Sequence, residues 1–114
     1  MSTYSKVDVD FSKSPVECDP DPVIVKKNQQ NGVQWTSKET GYNFTGVTID
    51  NVTYTPSSNS AGEFKDVAIT TNNNKSVMTI TDTVTDTNDH EYALVYTDPQ
   101  GASHTFDPTI RNQD

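Results

Sequence analysis

At 114 residues the chain has the size of one domain around a single core, and the sequence predicts a single domain over 1–114. Sixteen acidic residues against 8 dispersed basic ones leave a net charge of −8, which excludes the basic stripe that a phosphate backbone or an anionic membrane surface requires. Threonine (17), valine (12) and isoleucine (5) dominate while leucine occurs once, at Leu94, so the backbone is biased towards sheet and away from helix.

The hydrophobic fraction is only 31%, a level associated with disorder as much as with globular domains. The apolar residues nevertheless alternate with polar ones in short runs, which is the pattern of half-buried strands. Val7, Val9 and Phe11 share one face of a first strand, with Asp8 and Asp10 on the other. Pro15, Pro20 and Pro22 interrupt pairing before a short strand at Val23, Ile24 and Val25. Asn31-Gly32 reads as a turn ahead of a strand carrying Val33 and Trp35. Tyr42 and Phe44, then Val47 and Ile49 beyond Gly46, continue the alternation, and Asp50-Asn51 turns towards Val52 and Tyr54. Residues 56–62 are small and polar, a loop. Val67 and Ile69 mark the next strand, and Asn72-Asn73-Asn74, tolerant of left-handed backbone, predicts a hairpin into residues 77–82. Residues 83–89 read as a polar loop before the strand of Tyr92, Leu94 and Tyr96. Asp98-Pro99-Gln100-Gly101 has the residues of a type I turn, joining that strand to one at 103–106. Seven to nine short strands with turns every 8–12 residues predict an antiparallel β-sandwich, immunoglobulin-like or cupredoxin-like in topology.

The segment Asp21-Pro22-Val23-Ile24-Val25 is echoed by Asp107-Pro108-Thr109-Ile110-Arg111 near the other end. In sandwiches an early strand often lies beside the final one, and the two prolines are read as kinks where the chain crosses between sheets. These aspartate-proline pairs, the Gly32-Val33-Gln34-Trp35 strand, Phe44-Thr45-Gly46-Val47 and the closing Asp107-Pro108-Thr109-Ile110-Arg111-Asn112 together resemble the small bacterial DP-EP family, over most of the chain from about Asp19 onward. The resemblance implies an uncharacterised β-sandwich and brings no catalytic residues. A looser likeness runs to cupredoxins, but Tyr42-Asn43-Phe44 stands where their histidine segment would be, and the turn at Asp98 replaces their carboxy-terminal ligand loop. Cys18, Met78, His90 and His104 are copper-ligand types in the wrong order and spacing, so the expectation is a related fold without the metal. Trp35, and Asp89 three residues before Tyr92, are similar to immunoglobulin landmarks, without the bridging cysteine pair.

No nucleophile-base arrangement stands out. His90, between Asp89 and Glu91, reads as part of a surface cluster and His104 as an exposed strand residue, and the pairs Asp8/Asp10 and Asp19/Asp21 have no evident sugar cleft between them. The expectation is therefore no enzyme and no cofactor. The one candidate cation site is a calcium loop built from Asp82, Asp86, Asn88 and Asp89, whose oxygens suit a hard ion although their spacing is not that of an EF-hand. Tyr4, Tyr42, Tyr54, Tyr92 and Tyr96 would stack carbohydrate if several were exposed together, against a default of core packing. Cys18 is alone, which precludes an intrachain disulfide, and three sequons, at Asn43, Asn51 and Asn74, are read as accidental. Met1 to Lys6 shows no apolar signal stretch, so a cytoplasmic location is expected. Two readings follow: a non-enzymatic protein-interaction module, self-association included, or a ligand-binding domain for calcium or carbohydrate.

Overall fold

A computed structural model of the chain describes residues 4–13, 16–19, 23–27, 29–56, 64–83, 89–106 and 109–113, with the backbone alone at 89 and 109–113. It is all-β. The strands are β1 (Tyr4–Asp10), β2 (Glu17–Asp19), β3 (Val23–Lys26), β4 (Gly32–Ser37), β5 (Asn43–Ile49), β6 (Val52–Tyr54), β7 (Phe64–Asn72), β8 (Lys75–Asp82), β9 (Asp89–Thr97), β10 (Ser103–Phe106) and β11 (Thr109–Gln113). They form two packed sheets, one ordered β2-β1-β4-β8-β7 and the other β3-β11-β9-β5-β6. In the second, β10 and β11 follow one another along the side of β9 opposite β5.

Two pairs are parallel, β1 with β4 and β3 with β11, and the rest are antiparallel. The aspartate-proline echo is realised as the second of these, with Val23 opposite Ile110 and Val25 opposite Asn112. The expected proline kinks at Pro22 and Pro108 lie outside the described residues. In the immunoglobulin order the second strand is internal to its sheet. Here β2 is a three-residue edge strand, and β1 lies between it and β4 and runs parallel to β4, where immunoglobulin sheets are antiparallel.

The alternation read from the sequence is what fills the space between the sheets. Val7, Val9, Val33, Trp35, Met78 and Ile80 face inward from the first sheet, and Val23, Val25, Phe44, Val47, Ile49, Tyr92, Leu94 and Tyr96 from the second. At the centre, the Trp35 indole N–H of β4 donates to the Tyr92 hydroxyl of β9 at 3.0 Å, with the rings 5.2 Å apart. Both side chains are shut off from solvent, so this bond satisfies two groups that burial would otherwise penalise.

Turn chemistry holds at three of the predicted places. Asp50 and Asn51 (φ 50° and 69°) close the β5–β6 hairpin, and Asn73 and Asn74 (φ 54° and 63°) close β7–β8, as two-residue turns of the left-handed kind whose twist matches the strands. Asp98–Gly101 is a type I turn closed by the Gly101 N–H on the Asp98 carbonyl (2.9 Å), with Gly101 left-handed behind it.

Asn31-Gly32 differs from its reading as a turn. The chain reverses earlier, where Gln29 and Gln30 donate to the Lys26 carbonyl, and Gly32 is the first residue of β4. The glycine is required there by crowding: a Cβ would lie 1.8 Å from the Ile80 carbonyl oxygen of β8. Gly46 likewise sits inside one continuous β5, at a bulge, instead of dividing two strands. The Phe44 N–H there is taken by the buried Ser76 hydroxyl at 3.1 Å.

Two substitutions test this packing. Tyr92→Phe strands the indole N–H and lowers unfolding free energy by about 1–3 kcal/mol in urea titrations with an unchanged slope. Gly32→Ala forces β4 off β8 and costs about 3 kcal/mol or more, read the same way.

Candidate functional site

Of the four residues of the candidate cation loop, only Asp82 is described with its side chain. Asp82 is the last residue of β8, only 2% exposed and in phase with the inward Met78 and Ile80, and its N–H donates to the Asn31 carbonyl at 2.8 Å. A strand position that alternates into the core takes Asp82 out of the solvent-facing ligand set. Asp86 and Asn88 lie outside the described residues, and Asp89 begins β9 with its side chain undescribed. Among the described residues no group of three His, Cys, Asp or Glu converges to hold a metal ion.

The carbohydrate platform loses its premise too. Tyr54, Tyr92 and Tyr96 are buried, and Tyr4 and Tyr42 are half-buried, so none of the five tyrosines is exposed. His90 is a further correction. It is 7% exposed, set edge-on against Phe64, and its Nδ1 lies 2.5 Å from the Asp50 carboxylate at the β5–β6 turn. This acidic partner is thus 40 residues away in sequence. His104 is exposed, as expected.

The four copper-ligand types stay apart. Cys18 is on edge strand β2, Met78 in the core, and the two histidines near opposite ends of β9, since His104 sits opposite Tyr96. Six residues of strand separate His90 from Tyr96, about 20 Å.

The loop after β4 and the turn after β9 do meet, at one end of the sandwich. Gly41 (φ +89°) packs on Pro99, and Tyr42 lies 6.2 Å from Tyr96. Phe11, stacked on Tyr42 at 4.4 Å and 4.6 Å from Tyr96, fills the space between them. The Glu39 carboxylate fixes this arrangement by accepting the Phe11 N–H at 2.7 Å.

At the rim of this end, His104 stacks on Tyr96, and its Nε2 is 2.8 Å from the Asp98 carboxylate. The other Asp98 oxygen accepts the Gln100 and Ala102 N–H groups, both at 2.9 Å. The His104 bond and then the Ala102 N–H hold the Asp98 carboxyl below its ordinary range. Burial, followed by the neighbouring Tyr42 and Asp98, pushes the Tyr96 hydroxyl up, so it stays a neutral phenol at physiological pH. Filled by its own rings, this end of the sandwich is closed by Phe11, Tyr42 and Tyr96.

A second feature lies on the outer face of the sheet β6-β5-β9-β10. Outward positions are Thr53 on β6, Asn43, Thr45 and Thr48 on β5, Ala93, Val95 and Thr97 on β9, and Ser103 and Thr105 on β10. None is charged, and all are exposed or half-buried. Thr48 and Thr53 are hydrogen-bonded across the strands at 3.0 Å, and the Thr45 hydroxyl donates to the Val95 carbonyl at 3.2 Å, which keeps the surface flat. Glu91, exposed and in the same outward phase of β9 as Ala93, is its charged border towards β11.

On the outer face of the other sheet, Lys6, Asp8 and Asp10 of β1, Lys65 of β7 and Lys75 of β8 surround a narrower uncharged stretch, three strands wide, of Gln34, Thr36, Val77, Thr79, Ala68 and Thr70. The sequence carries the signal in the outward phase of β5, β9 and β10, although which strands are neighbours is not a local property.

Comparison with protein-family models and with curated proteins found no match.

Folding lowers the Asp98 pKa, so this carboxylate stabilises the fold above about pH 4 and its contribution is lost as pH falls through the folded value. Asp98→Ala lowers the melting temperature at pH 7, and the gap to wild type narrows in thermal melts taken below about pH 4.

Proposed function

We propose that the chain is a non-enzymatic β-sandwich module that docks another protein chain on the uncharged face of β6-β5-β9-β10. The observation that carries this reading is the sorting of charge. In a chain with net charge −8, the widest uncharged outward surface among the described residues spans these four strands, against three on the other sheet. Depletion of charge is the compositional mark of the centre of protein interfaces, and the charged border at Glu91 fits their rims. The acidic balance supports a protein partner over nucleic acid or an anionic membrane.

The strand order supports the cupredoxin-like alternative of the two sandwich types, and the filled aromatic end supports a version of it without copper. The resemblance to the DP-EP family fits a small bacterial sandwich that acts by binding, and a cytoplasmic setting suits a fold without disulfides.

The test is site-specific photo-crosslinking in cells of the source organism, with the probe residue at Thr45 or Thr105 on the proposed face and at Asp8 on the opposite sheet. Protein adducts are expected from Thr45 and Thr105 and none from Asp8. Equal yields from all three positions, or adducts from Asp8 alone, would refute the assignment of the face.

A further inference from the structure

We infer that the partner of this face is a second copy of the same chain, in a two-fold, sheet-on-sheet dimer. The inference rests on the interaction-module reading and names its occupant.

Three observations point to self-pairing. The first is electrostatic: every copy carries −8, so copies repel wherever charged surfaces approach, and this face lets two of them meet without setting like charges opposite each other. The second is chemical. A charged surface needs a partner of opposite sign, but hydroxyl and carboxamide groups each donate and accept. A face of Thr48, Thr97, Ser103, Thr105 and Asn43 is therefore complementary to its own copy under a two-fold axis, with the Ala93 and Val95 methyls supplying the apolar centre. The third is that edge-to-edge pairing is obstructed. Edge strand β2 has three residues, with Glu17 and Asp19 exposed, and edge strand β7 is bent by a bulge at Lys65–Ala68 with Asp66 in the left-handed conformation (φ 58°). The carbonyl of Ile24 on edge strand β3 is occupied by the Ser5 hydroxyl. The remaining edges, β6 and β10, have only three and four residues, too short for a long ladder, so two copies meet best by their faces, stacked with strands nearly aligned as the two sheets of a sandwich are.

The size of the face sets the strength. Four strands at about 4.8 Å spacing and some 20 Å of strand length give a patch of roughly 300–400 Å² in projection. That is about half of what one partner contributes to a standard stable interface, which places the dimer at the weak, transient end.

Sedimentation equilibrium of the purified chain at pH 7, from about 20 μM to 1 mM protein in about 50 and 500 mM NaCl, tests the inference through its dependence on screening. The expected result is a mass rising from one chain towards two with concentration, and association strengthened several-fold by the higher salt, because salt screens the repulsion and the interface has no ion pairs to weaken. Ala93→Glu weakens association at least tenfold. Val77→Glu, the same charge change on the outer face of the other sheet, has a much smaller effect. Circular dichroism confirms that each variant is folded, and Thr105→Glu, at an exposed position of the same face, replaces Ala93→Glu if that variant does not fold. A single-chain mass at 1 mM in high salt, association that salt weakens, or equal loss in Ala93→Glu and Val77→Glu would each overturn the inference. Monomeric protein whose Thr45 and Thr105 probes still capture a different protein would overturn self-pairing alone and leave the interaction-module reading standing.

Discussion

The Trp35 indole and the Tyr92 hydroxyl meet where the third strand of one sheet lies over the third strand of the other, and the rest of the sandwich is arranged around that contact. With leucine almost absent, valines line much of the interior, and aromatic rings supply the volume that longer aliphatic chains would give elsewhere. A tyrosine and a tryptophan can be buried at the centre because each satisfies the other's polar atom. Once β4 and β9 are pinned face to face, their neighbours inherit their positions. β1 and β8 flank β4, and β5 flanks β9 opposite β10 and β11. Ser76 then closes the one backbone donor that the bulge in β5 would have left bare.

How much of this was legible depends on the range over which each feature is determined. Alternation identified the inward faces of β1, β4 and β9 because it needs nothing beyond a strand's own residues. Asp50-Asn51 and Asn73-Asn74 were readable as turns because a left-handed pair is a local backbone property. Asn31-Gly32 presented the same dipeptide signal and meant something else. Its glycine answers to a carbonyl of β8, nearly fifty residues away, that no local pattern encodes. The partnership of His90 with Asp50 was hidden for the same reason, since the adjacent Asp89 and Glu91 were the only acids that sequence could offer it. Asp82, the last residue of the strand read over 77–82, is polar enough to suggest a solvent-facing ligand, whereas one more step of the β8 alternation turns it inward. The uncharged face spans four strands, two of them joined only through β9, so it exists as a surface only after the topology is known.

Both sheets turn hydroxyls and small apolar groups outward; the first rings them with charges from β1, Lys65 and Lys75, the second carries a wider uncharged stretch, and the exposed strand edges are shortened, bent or capped. The aromatic end is occupied by Phe11, stacked on Tyr42, and by Tyr96 tilted against both. A broad outer sheet face suits macromolecules better than small ligands, which favour concave sites.

The parallel pairing of β3 with β11 has a kinetic consequence. Within its sheet β3 touches only β11, and β11 is encoded some eighty residues downstream. During synthesis β3 therefore emerges long before its neighbour, and the loop that joins them must close at a substantial entropic cost before any ladder bond is gained. The nascent chain can assemble β4, β7 and β8 early, but this side of the sandwich is sealed last, with Val23 and Val25 open to solvent until the ribosome delivers their partner strand.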